Sequence, residues 1–319
     1  MSAVVTARGL TKRYGAATVV DGIDFDVAKG EIFGLLGPNG AGKTTTILMM
    51  LGLTEVSGGT ISVLDHDPVR DPLGVKRRVG YLPDQVGFYD NLTAYDNLGY
   101  TASLMGIPSR ERRRRIMEAL ERVRLVDVAE KRVKTFSRGM RQRLGLAEIV
   151  MKRAEIAILD EPTSGLDPQA ILEFLEMIHQ LKREGVTVLL SSHLLDQVQR
   201  MCDRVALFQR GRIVLMGTVP ELARQVLGSG FVVDVEADAA ADLDARLGAI
   251  AGVTSVSRIA ANHYRLVTDR DVCPDIARAV VAANGALRRL AVDIPSLEAI
   301  YARFFQKQAG DEEAARNAA

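Results

Sequence analysis

The sequence predicts an α/β protein: a parallel sheet with helices on both faces, a small antiparallel sheet before it, and a separate α+β domain after it. Three observations carry this. Short apolar runs at 31–36, 156–160 and 186–192 alternate with helical stretches, the pattern of buried parallel strands. The first run leads into a glycine-rich turn and then an apolar, helix-like stretch from Thr45 to Leu53. Beyond Gly228-Ser229-Gly230 the pattern changes to short strands mixed with short helices.

Composition sets the outer bounds. The chain has 319 residues, enough for one large domain and a smaller one. It is 47% apolar and 25% charged, an ordinary globular mixture. A formal net charge of +1 gives no reason to expect nucleic acid as a partner. Cys202 and Cys273 lack metal-ligand spacing and fit a reducing compartment. Residues 1–9 do not read as a signal peptide. No run of about 18 apolar residues occurs, so a pore would have to come from another chain.

Residues 1–30 alternate apolar and polar positions, with turn signals at Tyr14-Gly15 and Lys29-Gly30, and predict the antiparallel sheet. Residues 92–150 are mainly helical. The basic run Arg110–Arg115, interrupted by Glu111, reads as a solvated helix face. Val205–Phe208 and Arg212–Gly217 predict a closing strand pair around Arg210-Gly211. The first domain is expected to span 1–228. The second, 229–308, reads as strands at 232–236, 254–259, 263–268 and 286–292 with helices at 242–250, 272–283 and 296–306. Residues 309–319 are small and polar and read as a disordered tail.

Two motifs carry chemistry. Gly37-Pro38-Asn39-Gly40-Ala41-Gly42-Lys43-Thr44 matches G-x-x-x-x-G-K-[ST] at every fixed position. Glycines let backbone N–H groups turn in around phosphate, and the following helix adds its positive end. Lys43 is expected at the β- and γ-phosphates, and Thr44 at Mg²⁺ through its hydroxyl. Ile156-Ala157-Ile158-Leu159-Asp160-Glu161 reads as a buried strand whose acids lie at its C-terminal tip, beside the phosphate loop. Asp160 is then the Mg²⁺ partner through water, and Glu161 the general base for an attacking water.

The order of motifs resembles the ATP-binding cassette family over residues 1 to about 220. Phe136-Ser137-Arg138-Gly139-Met140-Arg141-Gln142 resembles its signature, Ser164-Gly165-Leu166-Asp167 its D-loop, and Ser191-Ser192-His193 its switch-histidine segment. Tyr14 is similar to the aromatic residue that stacks on adenine. The resemblance implies a P-loop NTPase nucleotide-binding domain with a RecA-like parallel sheet, an antiparallel β subdomain and a helical subdomain at about 92–150.

It also implies an ATPase that binds ATP and Mg²⁺. Gly37 to Thr45 of one chain would grip each ATP together with Ser137 and Gly139 of a second. His193 would sense the γ-phosphate, and Asp167 would couple the two sites. Two departures stand out. Asp84 occupies the Q-loop glutamine position, with Gln85 next to it, and either could approach Mg²⁺ or the attacking water. Arg138 and Met140 replace a glycine and the final glutamine of the signature.

Pro295-Ser296-Leu297-Glu298 and the apolar-aromatic helix after it resemble the tail of bacterial exporter ATPases, among them the daunorubicin exporters and the copper-maturation ATPase of nitrous oxide reductase. The implied partners are a second cassette, in a homodimer or heterodimer, and a multi-spanning permease, at the cytoplasmic face of the inner membrane. Phe88, Tyr89, Leu92 and Tyr95 are candidates for contact with that permease. The rival reading is a non-transport ATPase that remodels a macromolecular complex. Such members usually carry two cassettes or a long coiled coil, and this sequence shows neither.

Overall fold

The computed structural model describes residues 2–228, 231–238, 242–293 and 295–306. The chain divides into two compact units, Met1–Leu215 and Met216–Ala319.

In the first unit, β1 (Ala3–Tyr14) and β2 (Ala17–Ala28) form an antiparallel hairpin, paired for example Ala7 to Phe25 and Tyr14 to Ala17. Alternate residues face inward: Val5, Ala7, Leu10, Ile23, Phe25 and Val27 are buried. A third strand, β4 (Gly58–Val63), pairs with the other edge of β1. Two glycines at its start hid its alternation in the sequence.

The second sheet of this unit has six strands in the order β5-β6-β7-β3-β8-β9. These are β3 (Ile32–Leu36), β5 (Val79–Leu82), β6 (Ile156–Asp160), β7 (Thr187–Ser192), β8 (Arg204–Gln209) and β9 (Arg212–Gly217). The pairs β5–β6, β6–β7, β7–β3 and β3–β8 are parallel. Every residue of β3, β6 and β7 is buried, which explains their uninterrupted apolar runs. Phe25 stacks on Phe33 at 6.1 Å between centroids, joining the two sheets.

Helices α1 (Lys43–Met50), α2 (Pro72–Arg78), α6 (Pro168–Arg183) and α7 (Leu195–Met201) connect the strands. A helical section follows β5: α3 (Ala94–Leu104), α4 (Ser109–Arg122) and α5 (Arg138–Lys152). The run Arg110–Arg115 lies on α4. Arg114 pairs with Glu118 and Arg115 with Glu111 one turn away, while Ile116, Ala119 and Leu120 face inward. Because β3, β5, β6 and β7 run parallel, their C-terminal ends share one edge, where such sheets bind ligands.

The second unit begins earlier than the expected break after residue 228. Helix α8 (Val219–Leu227) belongs to it, opened by a Thr218–Glu221 capping box. Gly228 closes that helix with φ 80°, so this glycine marks a helix end rather than a domain boundary. Next come β10 (Phe231–Asp238), α9 (Leu243–Gly248), β11 (Val253–Ala260), β12 (His263–Thr268), α10 (Cys273–Ala282) and β13 (Ala286–Asp293). A helix at 297–306, α11, follows. The sheet order is β11-β12-β10-β13 and all pairs are antiparallel, a split-βαβ topology. Val233, Val235, Tyr264 and Leu266 on one face pack with Leu243, Leu247, Ile276 and Val280 of α9 and α10. The tail expected at 309–319 lies outside the described residues.

Asp234 and Arg265 are register partners on β10 and β12. Arg265 donates twice to the Asp234 carboxylate, at 2.9 and 3.1 Å, and these bonds hold that carboxyl below its usual pKa. A carboxyl depressed in the folded state stabilises it above the ordinary carboxylate pKa of about 3.9, and that stability is lost as pH falls through the depressed value. Hydrogen exchange of the β10 and β12 amides should therefore be slower in wild type than in Asp234→Asn at pH 6, with the gap narrowing below about pH 4. A gap that stays constant on acidification would count against the pair.

Candidate functional site

The site forms at the shared strand edge, beginning with the turn after β3. Gly40 (φ 79°) and Gly42 (φ 104°) take left-handed conformations that favour glycine. A Cβ on Gly42 would stand 2.8 Å from the Val19 carbonyl oxygen. Gly42 also opens α1, whose N-terminus has neither a side-chain cap nor an acidic first-turn residue. The first amides of α1 are therefore available to an anion, and the helix dipole favours one there.

Lys43 is only 5% exposed and folds back over the turn. Its ammonium donates to Gly37 O at 2.6 Å and to Pro38 O at 3.3 Å. It also lies 3.3 Å from Glu161 Oε1, an ion pair without hydrogen-bond geometry: that oxygen is buried and has no hydrogen-bond partner among the described residues.

Asp160 ends β6, and the parallel register sets Ser191 of β7 directly beside it. The buried Ser191 hydroxyl donates to Asp160 Oδ1, and Thr44 Oγ1 donates to the same oxygen at 3.3 Å. Glu161 is the first residue past the strand and has φ 48°, unusual for a side chain with a Cβ. Its amide donates to Ser191 Oγ at 3.0 Å. Its Oε2 lies 2.8 Å from His193 Nδ1. The acids at the tip of β6 are thus held by the phosphate loop on one side and the end of β7 on the other.

These groups surround an open cavity of ≈ 340 Å³ lined by Asn39 to Thr45, Val19, Asp84, Asp160 and Glu161. Tyr81 reports on the same space. Burial, reinforced by the Asp160 and Asp84 carboxylates, pushes its phenol up to about 12. Thr44 Oγ1 and Asp160 Oδ1 are hard oxygen donors that converge at the cavity, the chemistry Mg²⁺ prefers. No group of three His, Cys, Asp or Glu side chains among the described residues could hold a metal alone. The pair therefore suits a cation that takes its remaining oxygens from phosphate and water.

The other expected residues are divided between this cavity and other places. Of the Q-loop candidates, Asp84 lines the cavity, while Gln85 is exposed and does not line it. Ser137 caps α5, its hydroxyl accepting from Met140 N at 3.2 Å, and Gly139 sits in the first turn near Ala170 and Leu166. Asp167 caps α6. Tyr14 is 49% exposed at the tip of the β1–β2 hairpin, with Lys12 Nζ 4.7 Å from its ring centroid. Tyr14, Ser137, Gly139 and Asp167 do not line the phosphate-loop cavity.

Sequence reasoning gave Ser191 no role beyond marking the segment before His193. Its signal was a polar residue ending an otherwise apolar strand whose register neighbour is an acid. Gln142, buried on α5 and donating to Asp84 O at 3.2 Å, was also missed.

Comparison with known proteins places the chain in a family. The sequence model of the ABC transporter family matches residues 20–164. The linearmycin resistance ATP-binding protein LnrL of Bacillus subtilis is 33% identical over 304 residues, covering 93% of this chain and 97% of LnrL. The daunorubicin resistance ATP-binding protein DrrA3 of Streptomyces coeruleorubidus is 35% identical over 301 residues, covering 93% and 94%. A solved structure of the ATP-binding subunit of an ABC transporter superposes with a TM-score of 0.64 at 33% identity, covering 70% of this chain and 92% of that one.

Ser191→Ala would leave Asp160 without its buried donor and the Glu161 amide with only the longer bond to Ser191 O, 3.2 Å. The loss should cost about 1–3 kcal/mol, read as a lower thermal midpoint of the nucleotide-free chain. An unchanged midpoint would show that the bond contributes nothing.

Proposed function

The chain belongs to the ABC transporter family of ATP-binding proteins, and we propose that it powers export of a drug-like molecule by closing as a dimer around two ATP. It is an ATPase subunit that works with a separate membrane subunit, and no helix among the described residues is long and apolar enough to cross a membrane. The observation that carries the site reading is the cavity at the strand edge, where the Gly37–Thr44 turn, Lys43, Asp160 and Glu161 converge.

The phosphate chain of ATP lies across the first amides of α1. Its terminal phosphate takes Lys43 from Glu161, because a nearby polyanion offers the ammonium more charge-assisted bonds. Glu161 is thereby freed to accept a proton from the attacking water, held by His193 on its other oxygen. Thr44 and Asp160 would hold Mg²⁺, which would supply charge neutralisation at the phosphates. Asp84 serves as the Q-loop group in this reading, supported by its place in the cavity lining, which Gln85 lacks. Tyr14 stacks on the adenine, using its exposed ring.

Ser137 and Gly139 complete the site from a second copy. Asp167, at the start of α6, couples the two sites. Two-fold symmetry then makes two equal sites.

Residues around Tyr89 face the membrane subunit. Tyr89 is 55% exposed and meets Tyr100 edge-on at 5.2 Å, while Asn97 pins its backbone from both sides. Leu92 is also exposed, whereas Phe88 and Tyr95 are half-buried. Export is supported by the two long relatives, named for resistance to linearmycin and daunorubicin. The working location is the cytoplasmic face of the membrane.

Glu161→Gln should bind ATP, lose turnover by at least about 100-fold and accumulate as an ATP-dependent dimer in size-exclusion chromatography. Ser137→Ala in that background should weaken the dimer without weakening ATP binding to the monomer. Lys43→Ala should lose ATP binding. Normal hydrolysis by Glu161→Gln would remove Glu161 from its role.

A further inference from the structure

The structure brings together the two places where the sequence departs from the family pattern. Arg138 Nη2 lies 3.1 Å from Asp84 Oδ1. One turn later on the same helix, Gln142 donates to the Asp84 carbonyl. The first turns of α5 thus grip Asp84 by both its side chain and its backbone. Arg141 adds a bond to Asp90 at 2.6 Å. On its other side the Arg138 guanidinium lies against Gly165, where a Cβ would stand 2.8 Å from Nη1. Arg138 is therefore wedged between the Asp84 loop and the loop before Asp167, beside the Ser137 cap of α5.

Both members of the Asp84–Arg138 pair are nearly half exposed, so the pair adds little to folding. Its consequence is local charge. The cavity is lined by the carboxylates of Asp84, Asp160 and Glu161 against the single ammonium of Lys43. An entering polyphosphate deepens that negative excess. A neutral side chain at position 84 would need no counter-charge; an aspartate does, and Arg138 supplies it from the helix that carries Ser137. Asp84 and Asp160 line the same cavity, so their carboxylates share one region.

We propose that Arg138 is a positioning residue of the nucleotide site: its guanidinium neutralises and aims Asp84, and so ties occupancy of one chain's cavity to the Ser137 end of α5. The proposal rests on reading the cavity as the ATP site. It assigns to Arg138 a preference for triphosphate over diphosphate, because the longer anion brings more charge toward Asp84.

The test is a double-mutant cycle on the full chain, titrating Mg²⁺ with the non-hydrolysable analogue AMP-PNP or with ADP by calorimetry. Arg138→Gly should weaken AMP-PNP about tenfold and ADP about twofold or less. Arg138→Lys, which keeps the charge, should stay within about threefold of wild type. In an Asp84→Asn background, Arg138→Gly should change AMP-PNP affinity less than about twofold. A purely structural role would weaken both nucleotides alike and would not be relieved by Asp84→Asn. Should glycine loosen the start of α5, Arg138→Gln removes the same charge without that backbone freedom, and the same results are expected. An equal loss with and without Asp84→Asn, or no loss at all, overturns the proposal. Lys43→Ala separates the two readings: if it binds AMP-PNP normally, the site assignment itself fails, whatever Arg138 does.

Discussion

Everything at the site depends on placing two acids at the end of a fully buried strand. Asp160 is 4% exposed at the tip of β6, and an unpaired carboxylate there would carry a large desolvation cost. Its partners come from the next two strands in the sheet order, β7 and β3. Ser191 lies near the end of β7, next to β6, and Thr44 follows the turn after β3, next to β7. Glu161 is treated likewise, with Lys43 on one oxygen and His193 on the other. A different strand order would separate these groups, so the crossovers that build the sheet also satisfy its acids.

One consequence is that Lys43 already has partners before any ligand arrives. Lys43 bonds two carbonyl oxygens of its own loop and approaches Glu161, so a phosphate exchanges partners rather than filling a vacancy. Exchange makes affinity a small difference between large terms. In the proposed mechanism it also links binding to reactivity, because the contact that would be broken is the one that occupies Glu161, the proposed base. The left-handed backbone of Glu161 belongs to the same arrangement, since it lets the amide reach Ser191 while the side chain turns toward Lys43 and His193.

Much of this was legible in the sequence because the signals are local. Unbroken apolar runs gave β3, β6 and β7, and the spacing of Gly37, Gly42, Lys43 and Thr44 gave the turn. What stayed hidden depends on register and long-range approach. Ser191 matters only because parallel pairing sets it opposite Asp160, 31 positions earlier. The approach of Arg138 to Asp84 spans 54 positions, with helices α3 and α4 in between. Strand β4 was obscured by its glycines. The domain boundary was misplaced because a glycine that caps α8 looks, in sequence, like a linker.

The near-zero net charge then takes on a structural meaning. With 41 basic and 40 acidic side chains, the chain could have been polarised, yet charges are matched locally. Arg265 faces Asp234 across β10 and β12, Arg289 faces Glu236 across β13 and β10, and i,i+4 pairs line α4. Such matching weakens any long-range field that would draw in a polyanion. Recognition of phosphate must come instead from oriented backbone: the uncapped amides of α1, the glycine turn that exposes them, and one buried lysine. Those groups discriminate by geometry, so a nucleotide is selected by the length and shape of its phosphate chain. The carboxylates that any such site must carry for chemistry are then the groups whose charge has to be balanced residue by residue.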